Sequence, residues 1–440
     1  MRPERVVIIN DRSADVGGAS NLSRLSARML REAGVPVTFF SGDCSSGTAD
    51  ADALNLNGVP LLEQGRLSAA TQGLYNRQAC AALEALIARI DTPATLYHVH
   101  GWSKILSPSI FRPLARLRDR VVLHAHDYFL ACPNGGFVNY PRASVCALAP
   151  MSARCLMTQC DKRGFHQKAW RTARHALLHR LFDMRATPAN IVLVHDRMID
   201  YFRRAGIDPQ RMVTIRNPVT PFFTDAAAPW MMRDFFFIGR LEPEKGFEDA
   251  AAAARLAGVG LHVIGAGAGR SRLAGAYPEV VLHGWRDRAE IAVLLRSARC
   301  VVISSRVPEP FGLAALEAAG SGIPVILPSE ALLSSEIEAS GSGMSFPAGD
   351  VGGLAGAMRA VAGDDAEVQR MSRNARRTAA DLAHTPQSWA AALMTLYCAL
   401  VDRAMAAESQ RGCGAARGTR GAAARTVPAN PFGQPAGKTH

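Results

Sequence analysis

The stretch that most constrains this chain is EPFGLAALE, residues 309–317. The β-prone run 301–305 precedes it, and the strand-like segment 323–327 follows it. A strand, a glycine-bearing loop, a short helix and a second strand are the local plan of a doubly wound α/β fold. Such folds bind ligands outside the carboxyl ends of their strands. We therefore expect this loop to face a binding crevice.

The residue types of the loop suit a phosphate ligand. Pro310 favours the approach to a helix, and Gly312 lets the backbone come close to a ligand. A helix that begins here offers free N–H groups and the positive end of its dipole, which favour an anion. Glu309 stands in the loop, and Glu317 lies in the helix one turn beyond Leu313. The two carboxylates are thus placed to hold two separate hydroxyl-rich groups.

The same stretch resembles the paired-glutamate signature of retaining glycosyltransferases of family 4. Pro310, Phe311 and Gly312 follow the first glutamate, and AAGSGIPVI, residues 318–326, follows the second. The resemblance implies the GT-B fold, an α/β architecture of two facing Rossmann-like domains with the active site in the cleft between them. An ordinary βα turn with solvated glutamates is the alternative interpretation.

A basic motif lies near the start of the C-terminal half of the chain. Residues 239–246, GRLEPEKG, follow the predicted strand 234–239, so Arg240 and Lys245 leave one strand end together. A guanidinium gives bidentate contacts to phosphate oxygens, and an ammonium gives a compact charge. The stretch matches the G-R-L-x-x-x-K-G pattern of the family, whose Arg and Lys grip the donor diphosphate. A surface charge pair is the alternative.

The N-terminal half contains two further candidate features. Gly17 and Gly18 lie between a first strand, residues 6–10, and an amphipathic helix, and they let a ligand lie against the helix start. The resemblance implies that this loop flanks the donor diphosphate and the acceptor, and a glycine turn that serves packing alone is the alternative. The strand 121–126 ends in His126, and the family places at this point a histidine that contacts the transferred sugar. His124, His98 and His100 are neighbouring strand histidines for which we predict no role.

An irregular insertion between residues 132 and 160 contains Cys132, Cys146, Cys155 and Cys160. Clustered cysteines in a loop of this length suggest a structural zinc ion bound by thiolates. The spacing departs from the usual CxxC pairs, an iron–sulfur cluster would use the same ligands, and buried thiols without metal are a further alternative. For the transfer chemistry itself we expect no metal cofactor, since Arg240 and Lys245 supply positive charge.

Two other function classes need consideration. Gly265, Gly267 and Gly269 follow a predicted strand, as in NAD-dependent oxidoreductases, but Arg270 stands where the G-x-G-x-x-G pattern requires glycine. An oxidoreductase therefore remains an alternative with an incomplete motif. A non-catalytic protein that binds nucleotide sugars is the other, although Arg240, Lys245, Glu309 and Glu317 are all present. Epimerases and phosphorylases would share the fold.

Charge and hydropathy limit the partners and the location. The net charge of +12 favours an anionic partner, and no aromatic-basic motif points to nucleic acid. No apolar stretch approaches the length of a membrane span, and the first ten residues contain too short an apolar run for a signal peptide. We expect a cytoplasmic protein with reduced cysteines. The basic amphipathic segment 166–185 is interpreted either as a surface that docks on an anionic membrane or as a helix that covers the sheet.

These observations predict a domain plan. An acceptor-side domain spans residues 1–220, with the cysteine insertion 132–160, and a linker spans 221–232. A nucleotide-sugar domain spans 233–384, a crossing helix 385–405, and a disordered basic tail 406–440.

The resemblance also implies a reaction and a role for each residue. A sugar would pass from a nucleoside diphosphate sugar to a saccharide or lipid-linked acceptor with retention of configuration, in bacterial surface polysaccharide or glycolipid synthesis. The carboxylate of Glu309 would bind the sugar hydroxyls and that of Glu317 the ribose, while His126 positions the sugar. The diphosphate would be stabilised by Arg240, Lys245 and the N–H groups of Gly312 and Leu313.

Overall fold

The computed structural model describes residues 1–14, 17–44, 52–185, 190–225 and 227–419. Its strands are β1 Arg5–Asn10, β2 Val37–Ser41, β3 Ala53–Asn55, β4 Thr95–Val99, β5 Val121–Ala125, β6 Val138–Asn139, β7 Ser144–Val145, β8 Asn190–Leu193, β9 Met212–Thr214, β10 Asp234–Ile238, β11 Leu261–Ile264, β12 Val281–Gly284, β13 Ala298–Val302, β14 Val325–Pro328 and β15 Gly343–Phe346.

The α-helices are α1 Gly18–Glu32, α2 Arg66–Leu74, α3 Arg77–Ile90, α4 Phe111–Leu114, α5 Ala153–Met157, α6 Phe165–Leu181, α7 Met198–Arg204, α8 Phe247–Ala257, α9 Arg270–Ala276, α10 Arg288–Leu294, α11 Leu313–Gly320, α12 Ser334–Ala339, α13 Val351–Gly363, α14 Asp365–Leu382 and α15 Pro386–Thr419.

Two parallel sheets organise the molecule. The first has the strand order β3-β2-β1-β4-β5-β8-β9, and the second has the order β12-β11-β10-β13-β14-β15. Both are doubly wound, and the strand order reverses between β1 and β4 in the first sheet and between β10 and β13 in the second. Ligands of doubly wound sheets bind at these switch points. The predicted α/β GT-B fold is confirmed.

The strand sequences explain these buried sheets. β1 and β10 carry the apolar runs VVII and FFFI, which are buried almost throughout. Continuous apolar runs are typical of parallel strands that are covered by helices on both faces. The short antiparallel pair β6–β7 belongs to the cysteine-containing insertion and lies outside both sheets.

The two halves of the chain pack directly against each other. One hydrophobic cluster includes Tyr128 and Phe137 from the first half together with Phe311 and Leu332 from the second. The hydroxyl of Tyr128 also donates a hydrogen bond of 3.2 Å to the carbonyl of Pro308. The cleft is therefore closed around the loop that precedes α11. The predicted domain boundary at residue 220 stays a prediction, and it falls between β9 and β10.

The last helix differs from its prediction in length and in hydropathy. α15 continues to Thr419, past the predicted end at residue 405, and residues 420–440 of the predicted tail lie outside the described part. Within the described residues, its segment Pro386–Ser409 is long and apolar enough by composition to span a membrane, which we did not expect. Trp389 and Tyr397 of this segment are buried against β1 and β4 of the first sheet. Since 28% of this apolar stretch is buried, a buried core face accounts for part of its hydropathy.

Helix α6 lies within the segment predicted to be basic and amphipathic. Lys168, Arg174 and His175 are buried in it, and the Arg174 guanidinium stacks 5.0 Å from the centre of the Trp102 ring. The indole N–H of Trp170 donates to the carbonyl of Ala70 on α2. The helix therefore covers the core, and it exposes less positive charge than its sequence indicates.

Candidate active site

Two loops meet at the switch point of the second sheet. The loop after β10 carries Arg240 and Lys245, and the loop after β13 carries Glu309. The Lys245 ammonium forms an ion pair with the Glu309 carboxylate, and the Ser305 hydroxyl donates to the same carboxylate oxygen at 2.6 Å. The arrangement places an ammonium and a carboxylate, both partly buried, at the mouth of the crevice. The structure thus brings these predicted residues together.

The ionisation of Glu309 follows from this setting. Burial raises the pKa of its carboxyl, but the Lys245 ammonium, the hydrogen bonds from Lys245 and Ser305, and the charge of Arg240 together hold that pKa below its ordinary value. Glu309 is therefore a carboxylate at neutral pH. A carboxylate only accepts hydrogen bonds, which suits a group that binds sugar hydroxyls.

Helix α11 begins with its amino end open to the crevice. Gly312 precedes it with a φ of 69°, a left-handed conformation that favours glycine. Within the described residues, the backbone N–H groups of Leu313 and Ala314 make no hydrogen bond. Such groups, with the helix dipole, form a site for an anion.

Gly18, the first residue of α1 in the first half of the chain, lies next to the amino end of α11. A Cβ atom on Gly18 would lie 3.0 Å from Cδ1 of Leu313, so the amino ends of α1 and α11 face each other across the cleft. A side chain at position 18 would displace Leu313. The predicted donor-binding residues Gly18, Gly312 and Leu313 are therefore neighbours in space.

Glu317 takes a partner that the sequence did not reveal. The Arg288 guanidinium donates to the Glu317 carboxylate at 2.5 Å, and it also donates to the carbonyls of Thr220 and Pro221, which flank the predicted start of the linker. Burial raises the pKa of Glu317, and the charge and hydrogen bond of Arg288 oppose that rise. Arg288 thus connects the predicted ribose-binding carboxylate to the segment that joins the two halves.

His126 lies at the end of β5, as predicted, and is half-buried. Its Nε2 atom is 3.0 Å from Nδ1 of His100, and burial lowers the pKa of His126 to about 3. Burial also lowers the pKa values of His98, His100 and His124 well below their ordinary value. The four rings are therefore neutral at physiological pH. Because Tyr128, two residues after His126, bonds to Pro308, this strand end lies close to the loop that carries Glu309.

The glycine-rich loop after β11 supports the loop after β10. A Cβ atom on Gly265 would lie 1.9 Å from the Gly239 carbonyl oxygen, and the N–H of Leu241 donates to the Ala266 carbonyl. These glycines therefore allow two backbones to pack closely. That role accounts for the glycine pattern without a dinucleotide.

The metal site predicted for the four cysteines stays a prediction. Cys132, Cys155 and Cys160 are buried, and the group of metal-binding atoms found among the described residues does not include them. The Lys168 ammonium lies 3.3 Å from Sγ of Cys160 and 3.5 Å from Sγ of Cys155. A buried ammonium needs a polar partner, and the thiols take that role here.

Sequence reasoning missed three residues that complete the site. Ser305 and Tyr128 hold the loop that carries Glu309, and Arg288 holds Glu317. Ser305 stands four residues before Glu309, and that spacing was a signal that could have found it. Arg288 lies in the exposed helix α10, where an arginine is ordinary, so nothing in its local sequence marks it.

With the geometry established, comparisons with known proteins decide the family. A model described as glycosyl transferase 4-like domain matches residues 17–218, and one described as glycosyl transferases group 1 matches residues 226–378. A glycogen synthase of Mycobacterium tuberculosis is 38% identical over 308 residues, which cover 63% of this chain and 70% of that protein. This chain is a group 1 glycosyltransferase.

Solved structures share the fold of this glycosyltransferase. The sucrose-phosphate synthase of Thermosynechococcus elongatus is 20% identical, with a TM-score of 0.68 over 91% of this chain and 100% of that one. Anabaena HepE, solved with UDP and glucose, is 14% identical, with a TM-score of 0.62 over 90% of this chain and 100% of that one. The family assignment agrees with the predicted resemblance. The roles of individual site residues stay predictions.

An ion cluster across the cleft gives a pH prediction. The Glu336 carboxylate on α12 accepts hydrogen bonds from His195 at 2.9 Å and from Arg216 at 2.6 Å, both in the first half of the chain. Burial raises the pKa of Glu336, but these two partners outweigh it and lower that pKa from 4.5 to about 2. The folded pKa is depressed, so the stabilisation is present above pH 4.5 and is lost as the pH falls towards 2.

We therefore predict that Glu336→Gln lowers the free energy of unfolding by about 1–3 kcal/mol at pH 7, with allowance for solvent screening, and by less at pH 3.5. Urea denaturation at both pH values measures this. Glu338→Gln is the matched control, because Glu338 lies on the same helix and accepts from the Ser345 hydroxyl. An equal loss for Glu336→Gln at both pH values would contradict the ionic origin of the effect.

Proposed function

We propose that this protein is a retaining glycosyltransferase that uses a nucleoside diphosphate sugar. The observation that carries the proposal is the convergence of Lys245, Arg240 and Glu309 beside the open amino end of α11. These groups match two parts of such a donor, the diphosphate and the sugar. Cations and helix N–H groups suit the diphosphate, and a carboxylate suits the hydroxyls of the sugar.

The ion pair between Lys245 and Glu309 gives the donor a way to organise the site. When the diphosphate binds, its oxygens replace Glu309 as the partner of the Lys245 ammonium. They also accept hydrogen bonds from the exposed Arg240 guanidinium. Glu309 then keeps its hydrogen bond from the Ser305 hydroxyl, and its remaining lone pairs accept hydrogen bonds from the sugar hydroxyls. The ion pair thus holds both side chains in place before the donor arrives.

The same cations assist the chemical step. The bond between the anomeric carbon and the diphosphate breaks, a bond to the acceptor oxygen forms on the same face, and the acceptor proton passes to the leaving diphosphate. Negative charge grows on the diphosphate as this happens. Lys245, Arg240 and the N–H groups at the start of α11 are fixed where that charge develops, and such preorganised electrostatic stabilisation is usually the largest catalytic contribution.

The remaining roles follow from position. Glu317 accepts from a ribose hydroxyl while Arg288 holds its second oxygen, and His126 orients the sugar through its free ring nitrogen. The acceptor is a saccharide or a lipid-linked saccharide in surface polysaccharide or glycolipid synthesis. The similarity to a glycogen synthase supports a polysaccharide product.

A binding screen tests the donor part of this proposal. The thermal stability of the full-length protein is measured with UDP, GDP, ADP and their common sugar conjugates. A ligand at one hundred times its dissociation constant stabilises a protein by about 2.7 kcal/mol, so we expect one nucleotide to raise the melting temperature. Lys245→Ala should abolish this rise, because it removes the ammonium that binds the diphosphate.

The matched control is Arg272→Ala, which removes a cation that pairs with Glu248 elsewhere on the same half of the protein. We expect the control to keep the full rise. No rise with any of the nucleotides, or an equal rise in Lys245→Ala, would overturn the donor site. A rise with NAD in their place would favour the oxidoreductase alternative.

We further propose a cytoplasmic protein that works at the inner face of the plasma membrane. The net charge of +12 supports attraction to anionic lipid, although α6 buries part of its charge. The protein should sediment with vesicles that contain phosphatidylglycerol at low salt and be released at high salt. Phosphatidylcholine vesicles are the control, and no sedimentation with anionic vesicles at low salt would refute this location.

A further inference from the structure

Four imidazole rings form a stack under the carboxyl ends of β4 and β5. His98 and His100 come from β4 and the residue just beyond it, and His124 and His126 come from β5 and its end. The ring centres of His98 and His124 are 5.2 Å apart, and those of His124 and His126 are 4.2 Å apart. Three of the rings are buried almost completely, with His98, His100 and His124 at most 5% exposed.

Hydrogen bonds account for most of the ring nitrogens. His98 contacts the Tyr397 hydroxyl through Nδ1 at 2.6 Å and His124 Nδ1 through Nε2 at 3.2 Å. His100 contacts His126 through Nδ1. Of the nitrogens that remain, Nε2 of His100 and Nε2 of His124 are buried without a partner among the described residues.

The tautomers of the stack decide what these two nitrogens offer. A neutral imidazole has one N–H and one lone pair. When His100 and His124 each donate through Nδ1, to His126 and His98 respectively, both Nε2 atoms carry lone pairs. This assignment is consistent with the hydrogen bonds of both rings. A buried acceptor without a donor costs free energy, so the two lone pairs call for a cation or a bound donor.

A small cavity lies at this point. It has a volume of about 20 Å³, and its lining includes His100, His124 and the acidic residue Asp127. One ring nitrogen from each of His98, His100 and His124 lies within 4.8 Å of the others. Both nitrogens of His98 are hydrogen-bonded, so the two rings with an available lone pair are His100 and His124, and zinc binds such nitrogens at about 2.0–2.1 Å.

We propose that the Nε2 atoms of His100 and His124 bind one divalent transition-metal ion of the zinc type in this cavity, with the Asp127 carboxylate as a third ligand. Neutral imidazoles are the usual nitrogen ligands of zinc, and an N–H that donates to a second group typically orients each ligand ring. His126 plays that second part for His100. Through the hydrogen bond from His100, the ion would fix the orientation of the His126 ring. It takes no part in the transfer chemistry.

Metal titration of the full-length, untagged protein tests the proposal. The protein is first treated with a chelator and then titrated with Zn²⁺ against a chromophoric competitor. We expect one tightly bound equivalent, which is lost in His100→Gln and in His124→Gln. His262→Gln is the matched control, since His262 forms a similar pair with His283 at 3.0 Å on the second sheet. The control should bind like the wild type.

Co²⁺ loading of the wild type distinguishes this site from the cysteine cluster without any variant. We expect the visible bands of Co²⁺ in a nitrogen and oxygen site, without the intense near-ultraviolet band of thiolate ligands. No bound equivalent in the wild type would overturn the proposal and leave a bridging water as the partner of the two nitrogens. Metal that persists in His100→Gln and is lost in Cys160→Ser would overturn it as well.

Discussion

The ion pair between Lys245 and Glu309 is the interaction on which the candidate site depends. It joins the loops that leave β10 and β13, the two strands that flank the switch point of the second sheet. Gly246 makes the approach of these loops feasible, because a Cβ atom there would lie 1.9 Å from the Ser304 carbonyl oxygen and its φ is 64°. The Ser304 hydroxyl then bonds to the Gly246 carbonyl at 2.8 Å. The fold thereby holds an ammonium and a carboxylate side by side at this switch point.

The first half of the chain closes over this site at several points. Gly18 faces Leu313, Tyr128 bonds to Pro308, and the ammonium of Lys162, just after the insertion, lies 3.1 Å from Glu244 in the loop that carries Lys245. The segment between the insertion and α6 therefore reaches the loop after β10. Movement of one half against the other would change all these contacts together, as expected for an enzyme that assembles its site by closure.

The sequence predicted a contact correctly where a local motif marks the residues and the parallel sheet brings the ends of their strands together. Arg240, Lys245 and Glu309 could be placed together because the carboxyl ends of neighbouring parallel strands meet at one edge of a sheet. The partner of Glu317 could not be foreseen, since Arg288 is distant in sequence and reaches it only through the folded linker. The lysine that lies between two of the insertion's cysteines could not be foreseen either, since it comes from helix α6.

The stereochemistry of the first product tests the central claim most directly, because the proposed mechanism keeps the leaving diphosphate and the attacking acceptor on one face of the sugar. The measurement is proton NMR of the product formed from an α-linked nucleoside diphosphate sugar, recorded at early times before any secondary reaction. We predict that the new glycosidic bond has the α configuration. A β-linked first product would contradict the proposed same-face transfer and would require an opposing base that this account does not contain.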